Sequence, residues 1–217
     1  MQKFALITLR NDHIVGRGEN RDSLDIEVYN LVLDLGLIPI LVPNLPSLTI
    51  YFDGLLKKEN IGLVLFSGGN DLLKFKKEIG TNVYKKRDEL ELNMIKYCTI
   101  NSIPIFSICR GFQFIANYFG ANIERLEGHI NVNHEIYIEN SKEKILVNSF
   151  HSFGLKYKNL PIQIKPLAIH KSDNSIEAFT TKEPFNSLNI MWHPERNNGA
   201  KLKTCNLIKE FLFTNHI

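Results

Sequence analysis

Short apolar runs alternate with segments of helical spacing through the first half of the chain. Four of these runs have the length and composition of buried strands, at 4–9, 38–43, 61–66 and 103–108. The other segments place apolar residues three or four positions apart, which predicts helices at 22–35, 48–58, 87–100 and 112–120. Strands that alternate with helices predict a mainly parallel sheet with helices on both faces.

The second half of the chain has a different pattern. Its short β-like runs predict an antiparallel meander added to the parallel sheet, at 136–138, 145–147, 162–169 and 175–181. A strand at 188–192 and a helix at 200–214 follow. Because neither repeats nor a linker-like stretch interrupts this order, we expect a single α/β domain over residues 1–217.

Charge and cysteine content narrow the functional classes. A net charge of +3 with scattered lysines favours a solvated surface over nucleic-acid binding and is compatible with an anionic substrate. The sequence shows no signal peptide and no apolar stretch of membrane-spanning length, so no membrane partner is expected. Cys98, Cys109 and Cys205 have neither metal-ligand spacing nor an even disulfide count, which predicts a reducing, cytoplasmic location.

Histidines outside the motifs described below give no metal signal. His129, His134 and His170 lack the spacing of metal ligands, and we interpret them as surface or loop residues. The sequence therefore predicts neither a metal site nor a cofactor.

The sharpest chemical signal is a cysteine at the end of the fourth apolar run. Cys109 follows Ile108 directly, Gly111 comes two residues later, and helical spacing begins at Phe112. A buried strand, a sharp turn and a helix in this order are typical of a nucleophile elbow. The helix N-terminus favours the thiolate, which is the reactive form of the side chain. A small buried core thiol is the structural alternative.

Two more polar clusters follow strands directly, at 67–71 and 193–195. Since ligands bind at the carboxyl ends of parallel strands, we expect both clusters to meet Cys109 at one edge of the sheet. His193 can take the proton of the thiol and pass it to a leaving amine, while Glu195 holds the imidazole in the required tautomer. A strand-like step between the two residues is expected to place both side chains on the same side of the sheet. The glycine pair at 68 and 69 allows a backbone N–H to approach an oxyanion, and the N–H of Arg110 supplies a second donor. Singly, each cluster also has a structural interpretation as a turn, a core histidine or a surface carboxylate.

Five short motifs, taken in order, span the chain: Ser67-Gly68-Gly69-Asn70-Asp71, Arg87-Asp88 with Glu91, Cys109-Arg110-Gly111-Phe112-Gln113, Val147-Asn148-Ser149-Phe150-His151 and His193-Pro194-Glu195. In these residues the chain resembles the class I glutamine amidotransferase-like superfamily, and within it the stand-alone γ-glutamyl hydrolase branch. The resemblance implies a flavodoxin-like α/β fold and a catalytic triad of Cys109, His193 and Glu195.

The same resemblance implies a reaction and a set of binding residues. The cysteine attacks a γ-amide carbon, an amine leaves, and water hydrolyses the glutamyl thioester, so the partner is a small-molecule γ-glutamyl substrate and no cofactor is needed. Backbone amides of Gly69 and Arg110 would form the oxyanion hole. The glutamyl end of the substrate would be held by Gln113 and by the backbone around His151, Ser152 and Phe153.

Two positions depart from the family pattern. Ser107 stands where the elbow usually has glycine, and Phe153 stands where many γ-glutamyl hydrolases carry glutamine. Three stretches are instead similar to one subgroup: Glu19–Asp25, Pro39–Asn44 and Asn148–Gly154. Members of that subgroup hydrolyse γ-glutamyl-CDP-amidate to cytidine diphosphoramidate and glutamate, in making phosphoramidate groups for surface polysaccharides.

Two other functions stay open at this point. A glutaminase subunit that delivers ammonia to a separate synthetase or pathway partner predicts weak activity alone and stimulation by that partner. A non-catalytic binding module of the same fold need not retain all three residues of the triad, and their presence argues against it.

Five charged residues have less specific interpretations. Arg87 and Glu91, four apart on a helix, fit a surface ion pair, but we favour a structural or pocket-edge role. The loop predicted after the first strand carries Arg10, Arg17 and Arg21, any of which could bind a pyrophosphate or carboxylate or simply be solvated.

Overall fold

The computed structural model describes residues 3–47, 57–72, 81–196 and 201–213. Within them the strands are β1 (Phe4–Thr8), β2 (Arg10–Ile14), β3 (Glu19–Ser23), β4 (Ile38–Val42), β5 (Ile61–Phe66), β6 (Ile105–Ile108), β7 (Ile123–Arg125), β8 (Ile130–Ile138), β9 (Lys144–Phe150), β10 (Phe153–Lys156), β11 (Lys165–His170), β12 (Ser175–Thr181) and β13 (Ser187–Ile190). The helices are α1 (Ile26–Asp34), α2 (Thr81–Asn101), α3 (Arg110–Tyr118) and α4 (Lys201–Phe213).

One half of the main sheet is parallel, in the order β4-β1-β5-β6-β13. Phe66 pairs with Ser107, and Ile108 pairs with Ile190, so β5, β6 and β13 end nearly level. The residues that follow these three strands therefore emerge together at the carboxyl edge, where α/β sheets bind ligands. This arrangement confirms the predicted α/β, flavodoxin-like fold class.

The sheet continues beyond β13 as the antiparallel strands β12, β11, β8 and β9, while β10 pairs with both β12 and β7. The predicted meander is confirmed but is more extensive than the apolar pattern indicates. Strand β8 begins at Ile130 rather than at residue 136. The apolar pattern misses the first half of this strand because that half carries exposed polar residues such as Asn131 and Asn133. Strand β7 has only three residues, too few to give a periodic signal.

Two hydrophobic cores cover opposite faces of the sheet. Helices α2 and α3 pack Met94 and Ile115 into one core, and helices α1 and α4 pack Leu31 and Ile208 into the other. Burial on both faces explains why the parallel strands are apolar along their whole length. Among the described helices, none combines the length and apolar character that crossing a membrane requires.

The predicted loop over residues 10–21 is wrong, because these residues form most of the hairpin β2–β3. Its strands are polar and largely exposed, so they lack the alternation that marks a half-buried strand. Helix α1 begins at Ile26 instead of residue 22. Asp25 caps this helix, because its carboxylate accepts a hydrogen bond from the N–H of Glu27 at 3.1 Å. Most of the helix predicted at 48–58 lies outside the described residues.

Candidate active site

Cys109 occupies a strained turn between β6 and α3. Its backbone has φ 51° and ψ −99°, a region that non-glycine residues rarely adopt and that costs about 1–3 kcal/mol. The Cys109 N–H donates to the carbonyl of Ile190 at 2.8 Å, which ties the turn to β13. A Cβ on Gly111 would lie 2.4 Å from the Phe66 carbonyl oxygen, so only glycine fits there. The geometry is that of a nucleophile elbow.

The elbow accommodates Ser107 in the place usually taken by glycine. Its hydroxyl donates to the Asn189 side-chain carbonyl oxygen at 2.6 Å, and the residue is fully buried. The side chain thus turns toward β13 with its hydroxyl satisfied, and Gly111 leaves room for it.

His193 and Glu195 form a buried pair beyond the end of β13. Their Nδ1 and Oε1 atoms are 2.6 Å apart, and both residues are about 95% buried. Asn148 fixes the backbone of the histidine twice, accepting from its N–H at 2.8 Å and donating to its carbonyl at 2.9 Å. The strand-like step expected between the pair is wrong, since β13 ends at Ile190 and a turn brings them together.

The thiol and the imidazole converge on Gly68. A Cβ placed on this glycine would lie 3.0 Å from His193 Cε1 and 3.7 Å from Cys109 Cβ. Burial lowers the pKa of His193, but the charge of Cys109, its hydrogen bond and the contact with Glu195 outweigh burial and raise that pKa to about 9. At neutral pH the imidazole is therefore held protonated beside the sulfur.

Arg87 binds the carbonyl groups of the glycine loop that follows β5. Its guanidinium donates to the carbonyl oxygens of Ser67 at 2.6 Å, Gly68 at 3.2 Å and Gly69 at 2.7 Å. In a trans peptide the N–H points opposite to the carbonyl, so the N–H groups of Gly69 and Asn70 are turned away from the guanidinium. Gly69 has φ 77°, a conformation that favours glycine.

Arg87 belongs to a buried charge cluster beneath this loop. Glu91 accepts from Arg87 at 3.1 Å and pairs with Arg110, which also pairs with Asp88. Burial raises the pKa of Glu91, but the two guanidinium groups outweigh it and the net shift is downward. Burial and the neighbouring Arg110 lower the pKa of Arg87 to about 10. Because Arg87 and Glu91 are both 0% exposed, the surface-pair interpretation is wrong.

A cavity of about 400 Å³ opens beside Cys109. All the residues expected to bind substrate line it, together with both expected oxyanion donors: Gly69, Arg110, Gln113, His151, Ser152 and Phe153. Gln113 Nε2 donates to the Phe153 carbonyl at 2.9 Å, which connects two of these lining residues.

A second cavity of about 320 Å³ adjoins the first. Arg10, Gly69, His193 and Arg196 line both cavities. Arg196 stacks over the Phe150 ring at 4.5 Å, whereas Arg10 donates to Asp12 at 2.6 and 2.9 Å. The sequence pattern indicates Arg10 but not Arg196, whose position directly after the 193–195 motif is the only available signal.

The interpretation of His129 and His134 as surface or loop residues is wrong on exposure. Both are more than 90% buried and gather with His151 around Glu177, which is fully buried. Burial raises the pKa of Glu177, but the nearby imidazoles of His134 and His151 outweigh burial and lower that pKa strongly. His170 is only partly buried and stacks on His134 with ring centroids 4.3 Å apart.

A cysteine at a nucleophile elbow, a buried histidine–carboxylate pair and a flavodoxin-like sheet define a class of amidotransferase-type domains. The family model for glutamine amidotransferase class-I matches residues 20–212. The chain therefore belongs to the class-I glutamine amidotransferase family, which is a family of enzymes.

Individual relatives refine this assignment. The chain is 42% identical over 154 residues to the γ-glutamyl-CDP-amidate hydrolase of Campylobacter jejuni, covering 71% of each protein. It is 31% identical over 111 residues to the carbamoyl phosphate synthase small chain of Buchnera aphidicola, covering 50% of this chain and 28% of that one. A glutamine amidotransferase structure from Thermotoga maritima superposes with a TM-score of 0.62 at 15% identity, covering 100% of this chain and 87% of the other.

Proposed function

We propose that the protein hydrolyses a γ-glutamyl amide through a thioester on Cys109, and that its substrate is γ-glutamyl-CDP-amidate. The observation that carries the chemistry is the convergence of Cys109 and the His193–Glu195 pair on Gly68 beside an open cavity. The 42% identity to a γ-glutamyl-CDP-amidate hydrolase supports the choice of substrate. A role in making phosphoramidate groups for surface polysaccharides, and a cytoplasmic location, stay predictions.

In the proposed first step the Cys109 thiolate attacks the γ-carbonyl carbon and forms a tetrahedral intermediate. The N–H groups of Gly69 and Arg110 donate to its oxyanion, and Arg87 supports the first of these by holding the loop carbonyls. Protonated His193 gives its proton to the leaving nitrogen as the C–N bond breaks. An S-glutamyl thioester and a free amine result.

In the second step neutral His193 takes a proton from water, whose oxygen attacks the thioester carbon. Collapse of the second tetrahedral intermediate breaks the C–S bond and releases glutamate. The thiolate and the protonated imidazole are then restored, with Glu195 holding the ring at 2.6 Å throughout.

The two adjoining cavities fit the two ends of the proposed substrate. Gln113 and residues 151–153 line the first cavity and suit the polar glutamyl end. The leaving group carries a diphosphate, and Arg10 and Arg196 lie where the cavities join. Guanidinium groups bind phosphate oxygens through paired, charge-assisted hydrogen bonds.

We expect replacement of Arg196 by alanine to raise the KM for γ-glutamyl-CDP-amidate by roughly 10- to 100-fold, since one charge-assisted hydrogen bond contributes about 1.5–3 kcal/mol. Hydrolysis of glutamine, which has no diphosphate, should change little. Steady-state kinetics on both substrates measures the difference. Arg21→Ala is the matched control, because Arg21 is exposed and paired with Glu19 at 2.5 Å. Equal losses on both substrates would contradict the assignment of Arg196 to the diphosphate.

A glutaminase subunit is the second candidate function, favoured by the similarity to a carbamoyl phosphate synthase small chain. It differs from the first candidate in its substrate, free glutamine, and in requiring a synthetase partner. The non-catalytic alternative has less support, because the cysteine, histidine and carboxylate stand in a reactive arrangement.

Glutamate release by the purified protein separates these candidates. We expect turnover of γ-glutamyl-CDP-amidate with a kcat/KM at least roughly 100-fold above that for glutamine, because only the former can use both cavities. The panel also includes γ-glutamyl peptides and folylpolyglutamate. Activity on glutamine alone, stimulated by a partner, would replace the proposal with the glutaminase subunit. Lack of release from every compound would favour the binding module.

A further inference from the structure

A cluster of buried histidines surrounds one carboxylate behind the wall of the glutamyl cavity, which is the first cavity, beside Cys109. Glu177 lies on β12, and the histidines come from three other places: the residue before β8, β8 itself and the residue after β9. The relative exposures are 0% for Glu177, 2% for His129, 3% for His151 and 8% for His134. Titratable groups this deeply buried need partners.

The separations within the cluster are too long for good hydrogen bonds. Glu177 Oε1 lies 3.6 Å from His129 Nδ1, and Glu177 Oε2 lies 3.7 Å from His151 Nε2 and 3.5 Å from His134 Nε2. Within the described parts of the chain, these histidine nitrogens and Glu177 Oε2 have no hydrogen-bond partner. Several unsatisfied buried atoms are thus directed at one point.

The ring nitrogens of His129 and His151 that face away from Glu177, their outer nitrogens, have partners that indicate the tautomer of each ring. His129 Nε2 lies 3.3 Å from an Asp173 carboxylate oxygen, and His151 Nδ1 lies 3.2 Å from the Phe153 carbonyl. Both outer partners accept hydrogen bonds, so in the neutral form of each ring the proton lies on the outer nitrogen and a lone pair faces Glu177. Lone pairs that face a carboxylate repel it, and a cation between them removes the repulsion. Metal-binding histidines are oriented in this way by a carboxylate or a backbone carbonyl.

We propose that His129 Nδ1, His151 Nε2 and the Glu177 carboxylate bind one divalent transition-metal ion of the zinc type. These ligand atoms all lie within 4.8 Å of one another. Tetrahedral ligands at about 2.0–2.1 Å from zinc are roughly 3.3–3.4 Å apart, and each of the two imidazole nitrogens lies 3.6 or 3.7 Å from one oxygen of the Glu177 carboxylate. Two imidazoles and one carboxylate suit zinc, cobalt or nickel better than magnesium or calcium. A fourth coordination position remains on the side of His134.

One backbone carbonyl connects the proposed metal site with the first cavity, which is proposed to hold the glutamyl end of the substrate. The Phe153 carbonyl accepts from His151 Nδ1 and also from Gln113 Nε2, which lines that cavity. A metal on His151 would fix the ring and, through it, the backbone of residues 151–153. The ion therefore has a positioning role, separate from the chemistry at Cys109.

Direct metal binding to the purified, chelator-treated protein tests the proposal without relying on activity. We expect one Co²⁺ per chain, with the visible absorption bands of a four-coordinate site, and displacement by Zn²⁺ but not by Mg²⁺. Metal content after dialysis is measured by mass spectrometry. Failure of the wild-type protein to retain one ion, or equal binding of Mg²⁺, would overturn the proposal whatever any variant does.

Matched variants locate the ion. Glu177→Gln and His129→Gln should each weaken Zn²⁺ binding by at least roughly 100-fold, the upper end of the loss seen when only an outer partner of a ligand is changed. Zn²⁺ should raise the Tm of the wild-type protein and of the control His13→Gln, in which an exposed histidine is replaced, but not that of Glu177→Gln. Unchanged Zn²⁺ affinity in a folded Glu177→Gln variant would overturn the assignment.

Discussion

Replacing Cys109 by alanine is expected to abolish glutamate release and to lower the pKa of His193 below its value of about 9. Removing the nucleophile eliminates the thioester route, and triads of this kind lose about 10⁴- to 10⁶-fold in kcat when the nucleophile is removed. The charge of Cys109 is the largest influence that raises the pKa of His193, so burial acts with less opposition once the sulfur is gone. Coupled assays and an NMR titration of the imidazole measure the two effects.

Cys205 provides the matched control for this prediction. It is a free, buried cysteine like Cys109 and belongs to the same hydrophobic core, but it lies on α4 and lines neither of the two cavities. Burial raises the pKa of its thiol. Cys205→Ala should retain activity and leave the His193 titration unchanged. Glutamate release from a Cys109→Ala variant at the wild-type rate would rule out the thioester. A loss of activity with an unchanged His193 pKa would show that the thiol and the imidazole do not interact.

Several of the site's main features could be predicted because its residues directly follow strands. Cys109 and His193 lie one and three positions beyond the ends of β6 and β13, and apolar runs mark both strands clearly. Parallel pairing then brings the ends of these strands to one edge without any knowledge of loop conformation. The geometry of Glu195 was predicted less well, because a turn rather than a strand brings it to His193.

The histidine cluster could not be predicted for the opposite reason. The three proposed ligands, His129, His151 and Glu177, come from β12 and from the flanks of β8 and β9, so no local spacing relates them. Only the antiparallel pairing of β8 with β9, and of β11 with both β8 and β12, brings these strands together. Metal-site spacing rules recognise ligands held by one turn or helix, and this cluster has no such pair.

Burial of Arg87 illustrates a further limit. An arginine and a glutamate four residues apart have the same sequence pattern on an exposed helix face as in a buried cluster. Helix α2 carries both cases two residues apart, since Lys85 and Glu89 are exposed and 3.7 Å apart, whereas Arg87 and Glu91 are fully buried at 3.1 Å. What distinguishes them is the packing of the helix against the glycine loop, which is a tertiary contact.

Replacement of Arg87 by methionine is expected to lower kcat by roughly 10²- to 10³-fold, the usual cost of losing an oxyanion donor. The guanidinium holds the carbonyls of Ser67, Gly68 and Gly69, and these bonds turn the Gly69 N–H toward the opposite side of the loop. Without them the loop peptides are free to rotate, whereas the wall formed by Gln113 and residues 151–153 lies outside this loop. The KM should therefore change much less than kcat. Arg87→Lys should not restore the rate, because an ammonium cannot reproduce the planar fork.

A matched pair of variants on α2 separates the effect of the Arg87 substitution on stability from its effect on catalysis. Arg87→Met leaves Glu91 with Arg110 as its remaining cationic partner, and breaking a buried pair costs about 3–5 kcal/mol of the free energy of unfolding. Lys85→Met removes an exposed pair of the same spacing, which should cost less than about 1 kcal/mol and leave kcat unchanged. Denaturant unfolding gives the stabilities, and titration of Cys109 with an alkylating reagent gives the folded fraction used to normalise kcat. A wild-type kcat per folded Arg87→Met molecule would show that the loop keeps its oxyanion donor without the guanidinium, and the buried arginine would then serve folding alone.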